Sequence, residues 1–140
     1  MAKPHVDEVL RTVPLFSRCT DKELAELSGL VTTLTIPAGK VVVRQGQPGN
    51  EFIVIVDGSA NVAIDGQTVA TLGPGDFFGE IALLDGGPRT ATVTADSDLV
   101  AGVMSHQEFA SLLMTVPVVT RGILKGVAAR LRATDATLVH

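Results

Sequence analysis

The sequence predicts a mainly β domain with flanking helices: a double-stranded β-helix, or jelly-roll barrel, between a helical N-terminus and a long C-terminal helix. Three observations predict it. Between about residues 32 and 104 the chain consists of short, β-branched runs broken by Gly, Pro, Asn and Asp, as expected of many short strands joined by turns. On either side lies a helix start of the Ser/Thr-x-x-Glu kind, Thr20-Asp21-Lys22-Glu23 and Ser105-His106-Gln107-Glu108. In such a box the hydroxyl and the carboxylate satisfy opposing backbone donors. Finally, Pro117 opens a last helical segment, where its missing N–H is no loss.

Taken in order, a short helix is expected around Val6 to Thr12, before Pro14. After the first capping box, Leu24, Leu27 and Leu30 recur at helical spacing, so helices occupy about residues 5–31. The predicted strands are Leu34–Ile36, Val41–Val43, Phe52–Val56, Ala60–Ile64, Thr68–Leu72, Thr92–Ala95 and Leu99–Met104. Turns separate the earlier ones: Pro37-Ala38-Gly39, Gln47-Pro48-Gly49-Asn50, Asp57-Gly58, Asp65-Gly66 and Gly73-Pro74-Gly75-Asp76. Asp-Gly pairs between apolar runs signal hairpins, because such turns need positive φ. Helix returns over about 105–138. With no repeats, low-complexity tracts or linkers, residues 1–140 read as one domain.

Hydrophobic residues make up 46% of the chain and its mean hydropathy is +0.37. Yet the longest apolar stretches, Phe52–Val56 and Leu99–Met104, are far too short to span a bilayer. The start, Met1-Ala2-Lys3-Pro4-His5, lacks a secretory apolar region, and Cys19 stands alone, excluding a disulfide framework or cysteine zinc cluster. These features favour the cytoplasm and no membrane association. The net charge of −4 gives no basic excess for binding nucleic acid directly. Arg121, Lys125, Arg130 and Arg132 read as a solvated helix face.

Chemistry concentrates between Phe78 and Val93, in the run Phe78-Gly79-Glu80-Ile81-Ala82-Leu83-Leu84-Asp85-Gly86-Gly87-Pro88-Arg89-Thr90-Ala91-Thr92-Val93. A buried anion needs a paired cation, and Arg89 offers a planar fork of donors that suits phosphate oxygens. Glu80, nine residues earlier, offers an acceptor for a hydroxyl. Gly79 lets backbone come close to a ligand where a Cβ would intrude. Glu80 to Leu84 can form one helical turn with its N–H groups toward an anion, and Gly86-Gly87-Pro88 brings Arg89 back over it. Ala91 is small enough to donate its own N–H. By themselves, two such charges also fit an ion pair or a solvated pair.

This run resembles the phosphate-binding cassette of cyclic-nucleotide-binding domains, those of the catabolite activator, protein-kinase regulatory subunit and cyclic-nucleotide-gated channel type. The surrounding turns follow the same order: Ile36-Pro37-Ala38-Gly39, Gln45-Gly46-Gln47-Pro48-Gly49, Val56-Asp57-Gly58 and Leu72-Gly73-Pro74-Gly75-Asp76-Phe77-Phe78-Gly79-Glu80. The likeness covers about residues 12 to 135. It implies that Glu80 takes the ribose 2′-hydroxyl and Arg89 the cyclic phosphate, with backbone contacts from Gly79, Ala82 and Ala91. Ile81 and Leu83 would pack the short helix inward. Thr90 stands where the family carries Ala, Ser or Thr, and a hydroxyl there is associated with tolerance of cGMP. Val62 and Leu72 fall where they could flank the base or equally be core. The run Ala128–Asp135 resembles the final helix of bacterial cAMP receptor proteins, which would bring Arg130 near the cassette and Thr134 to the purine edge, or leave both in solvent.

The resemblance implies a sensor of cAMP, with cGMP as an alternative ligand and a nucleotide-free interaction module of the same fold as an alternative function. No cofactor beyond the ligand is implied. Closure of the final helix over the base would carry the signal to a downstream protein that the sequence leaves unnamed. No residues follow that helix for an effector module, so the chain is either a stand-alone sensor or a piece of something longer. Leu124, Leu131 and Leu138, spaced by seven, read as a stripe packed on the barrel, and the resemblance adds a homodimer through this helix. An enzyme is not expected. His5, His106 and His140 lie outside the predicted strands, where a jelly-roll metalloenzyme would hold its metal, and no Gly-x-Ser-x-Gly elbow exists.

Overall fold

The computed structural model describes residues 10–11, 16–79, 82–83 and 86–138, excepting the side chains of 130 and 133–138. The element order is α1 (Asp21–Leu30), β1 (Thr32–Ile36), β2 (Val41–Val43), β3 (Glu51–Asp57), β4 (Ala60–Ile64), β5 (Gln67–Leu72), β6 (Phe77–Phe78), β7 (Thr92–Ala95), β8 (Leu99–Ser105), α2 (His106–Thr115) and α3 (Pro117–Leu138). Of the helix expected at residues 6–12, only Leu10 and Arg11 lie within the described residues, and both are helical.

The eight strands form two antiparallel four-stranded sheets, ordered β1-β8-β3-β6 and β2-β7-β4-β5. This is the jelly-roll arrangement the sequence predicts, with one correction. The sheets face each other without closing into a barrel, since β1 and β6 edge one sheet and β2 and β5 the other. The strand Phe77–Phe78, absent from the sequence reading, pairs with Ile53 and Val54. Two residues are too few to show any alternation.

The β1-β8-β3-β6 sheet is covered on both faces, which explains the unbroken apolar run of β3. Ile53 and Ile55 point toward the opposite sheet, among Ala60, Val93, Leu99, Ala101 and Val103. Phe52 and Val54 point the other way, into a helical layer with Leu24, Leu27, Phe109, Leu112, Val119 and Ile123. Phe52 stacks on Phe109 with centroids 4.8 Å apart and tilts against Phe77 at 5.5 Å.

Both capping boxes form. Thr20 Oγ1 accepts from the Glu23 N–H at 3.2 Å while Glu23 Oε1 accepts from the Thr20 N–H at 2.8 Å. Ser105 and Glu108 repeat this at 3.1 and 2.8 Å. Pro117 opens α3 as its N1 residue would.

The two Asp-Gly pairs behave differently. Asp65-Gly66 makes the β4–β5 hairpin, with φ of 52° and 81°. Asp57-Gly58 makes none: β3 and β4 belong to different sheets, so this turn carries the chain across. The motif reports positive φ, which a crossover also uses.

The leucine stripe is a further correction. Val119 and Ile123 are buried and Val127 packs beside them, so helical periodicity rotates Leu124 and Leu131 outward, where they are 60% and 58% exposed. The side chain of Leu138 lies outside the described residues.

Candidate functional site

The loop between β6 and β7 is built around Arg89. Gly79, which follows β6, has φ +95°, a conformation that strains other residues. A Cβ there would lie 2.5 Å from the Glu51 carbonyl oxygen and 2.6 Å from Arg89 Nη1. Ala82 and Leu83 are helical, and the Gly86 N–H donates to the Ala82 carbonyl at 3.0 Å, closing that turn. Leu83 is half-buried against the helical layer, as expected.

Arg89 is fixed at both backbone and side chain. Its N–H donates to the Gln47 carbonyl and its carbonyl accepts from the Gly46 N–H, both at 2.9 Å. Its Nη1 donates to the Glu51 carbonyl at 3.0 Å. Only 6% of the residue is exposed, and it is the buried charged residue among those described. A guanidinium removed from water needs fixed acceptors, so the turn joining β2 to β3 and the start of β3 define its position.

The other predicted residues divide by place. Gly79 and Arg89 are brought together, and Ala82 lies on the same loop. Thr90 is exposed and Ala91 half-buried, directly after Arg89. Val62 and Leu72 are partly buried against the inter-sheet core, on neighbouring strands β4 and β5 whose register pairs Val62 with Ala70 and Leu72 with Ala60. Glu80 and Ile81 lie outside the described residues. So do the side chains of Arg130 and Thr134, although both residues stand on α3.

A cavity of about 410 Å³ adjoins the loop, lined by Gly46, Pro48, Gly49 and Asn50 from one side. Ala82, Leu83, Gly86, Gly87 and Pro88 line the other, with His106 of α2. Among the described residues predicted for the site, Ala82 lines this cavity.

Chemically, a buried guanidinium held beside a glycine suits recognition of an anion. Cys19 is a buried free thiol. Burial, with the nearby Glu23 carboxylate adding to it, pushes its thiol pKa up, and it packs within the helical layer.

The sequence reading missed Gly49 and Glu51, which together seat the arginine. A signal was present in Pro48-Gly49, where it passed for turn punctuation; the Glu51 contribution is a backbone carbonyl and leaves no trace in residue type.

Comparison with known proteins adds the following. The family description "Cyclic nucleotide-binding domain" matches residues 33–116. The chain is 36% identical to a cyclic nucleotide-gated potassium channel of Mesorhizobium japonicum, over 79% of this chain and 30% of the channel. It is also 36% identical to a cAMP-dependent protein kinase regulatory subunit of Mycosarcoma maydis, over 96% of this chain and 26% of that protein. The chain thus spans under a third of the length of these two relatives. Among solved structures, the catabolite activator protein of Thermus thermophilus superposes with a TM-score of 0.82 at 30% identity, covering 89% of this chain and 61% of that one.

Proposed function

This chain belongs to the cyclic nucleotide-binding domain family, and on that premise we propose that it is a cytoplasmic sensor that binds cAMP through the loop from Gly79 to Ala91. Arg89 pairs with the cyclic phosphate, and Glu80 accepts from the ribose 2′-hydroxyl. Gly79, Ala82 and Ala91 present backbone to the sugar-phosphate. Val62 and Leu72 flank the base from the inner face of β4 and β5, while Arg130 and Thr134 approach it from α3.

One observation carries this reading: a charged side chain 6% exposed is held against Gly79 by the turn joining β2 to β3. Burial of an arginine is hard to reconcile with a solvated surface pair. The relatives named above are regulators or a gated channel, and a binding role without catalysis agrees with them. Thr90, exposed beside Arg89, favours cGMP as the second ligand to test.

Signalling follows from population shift, since a ligand biases a two-state element only by its differential affinity for the two states. Phe77 supports a route to the final helix. It contacts Phe52 in the core, and a Cβ on Gly126 of α3 would stand 3.1 Å from its ring. Movement of the loop that follows Phe77 thereby bears on α3, which closes over the base and passes the change to a downstream protein. Pairing of two copies through α3 belongs to the same reading, supported by the exposed Leu124 and Leu131.

The test is a titration of cAMP and of cGMP into wild-type protein and Arg89→Ala. Loss of the fork leaves a phosphate without its paired charge, at about 2–5 kcal/mol by analogy with charge pairs at interfaces. Equal affinity in the variant contradicts the site.

A further inference from the structure

Gly49 has ordinary backbone geometry, unlike the positive-φ glycines at 39, 46, 58, 66, 75, 79 and 86. Nothing in its own conformation requires glycine. Yet a Cβ built on it runs into Nε and Cζ of the Arg89 guanidinium and stands 2.7 Å from Arg89 Cδ. The absent side chain is therefore demanded by one neighbour. From this we infer that Gly49 is a positioning residue for ligand recognition: it leaves the slot in which Arg89 is seated, and it acts on the ligand only through that arginine.

The slot has a defined frame. Gly46 and Gln47 hold the Arg89 backbone through two hydrogen bonds, and the Glu51 carbonyl takes its Nη1. Gly79 closes the far side, 2.6 Å from Nη1 to an ideal Cβ. Gln45 ties the frame to the β4–β5 hairpin by a reciprocal pair with Asp65, at 3.0 Å from its side-chain amide and 2.8 Å from the Asp65 N–H. The Gln45 N–H also donates to Thr92 Oγ1 at 3.0 Å. With the frame anchored at three places, a methyl on Gly49 is accommodated by displacing the guanidinium, because the turn cannot yield as a whole.

The inference rests on the anion-binding role proposed for Arg89, so the experiment separates the two. Affinity for cAMP is measured for wild type, Gly49→Ala, Arg89→Ala and the double variant, with Gly73→Ala as control, since a Cβ at Gly73 meets nothing within 4 Å. Residues in direct contact couple non-additively, so Gly49→Ala weakens cAMP binding about tenfold or more, and the same change adds no further loss in the Arg89→Ala background. Gly73→Ala binds as wild type does. Affinity of Gly49→Ala within twofold of wild type, or an equal loss in both backgrounds, overturns the inference. If Arg89→Ala binds like wild type, the anion role itself fails; if it binds weakly while Gly49→Ala does not, only the seating role fails.

Thermal melts without ligand keep the cycle readable when Arg89→Ala abolishes binding or Gly49→Ala folds poorly. A collision with Arg89 lowers the Tm of Gly49→Ala, and removing the guanidinium restores it. A Tm penalty that persists in the double variant overturns the inference.

Discussion

Arg89 is withdrawn from water, 6% exposed, with its Nη1 donating to the Glu51 carbonyl at 3.0 Å, and its planar fork can offer paired donors to an anion where a point charge cannot. Arg89→Lys keeps the cation but not the fork. The expected outcome is cAMP affinity between wild type and Arg89→Ala; equality with wild type means that charge alone suffices. Cys19 tests a different environment. Its folded pKa is raised by burial and by Glu23, so the thiol contributes most where both states are protonated, below the ordinary value of about 8.5. That contribution is lost as pH rises from there through the folded value. Between pH 7 and 10, wild type loses stability in urea melts that Cys19→Ala keeps; parallel curves contradict the assignment.

At the scale of elements, the caps and the α3 contact make separable demands. Replacing Ser105 by Ala removes an acceptor that the Glu108 N–H uses at 3.1 Å and costs about 1 kcal/mol of stability, read as a lower denaturation midpoint. Gly126→Leu drives a branched side chain into the Phe77 ring, 3.1 Å from even an ideal Cβ. Overpacking of this kind costs about 1–3 kcal/mol, against the better helix propensity of Leu. A variant as stable as wild type shows that α3 does not bear on Phe77.

Most elements were legible in the sequence for local reasons. Thr20-Glu23 and Ser105-Glu108 name their own partners, and Asp65-Gly66 fixes both turn dihedrals. Phe77–Phe78 was hidden because a strand of two residues exists only through its pairing with β3. Asp57-Gly58 misled for the opposite reason: the local signal was right about φ, while the destination of the chain depends on which sheet takes β4. At the candidate site, residue chemistry and the family resemblance singled out Gly79 and Arg89, which the fold brings together. Gly49 was not singled out, because its role is set by a side chain forty positions away in sequence, and such a contact leaves only a glycine beside a proline as its mark.

For the whole molecule, the site proposed above draws on loop, strands and α3, and so ties ligand binding to global stability. A ligand that binds only the folded state stabilises it by RT ln(1 + [L]/Kd), about 2.7 kcal/mol at a hundredfold excess over Kd. For a chain of this size that corresponds to a rise in Tm of roughly 5–10 °C. At the same ligand concentration the rise should shrink to less than half in Arg89→Ala, whose ligand-free melt stays cooperative.

The decisive experiment is a calorimetric titration of cAMP into the wild-type protein, repeated with Arg89→Ala. Saturable binding of one cAMP per chain is expected, weakened in the variant by about 2–5 kcal/mol. No heat with either cAMP or cGMP at millimolar concentration, or the same isotherm with and without the arginine, would contradict it.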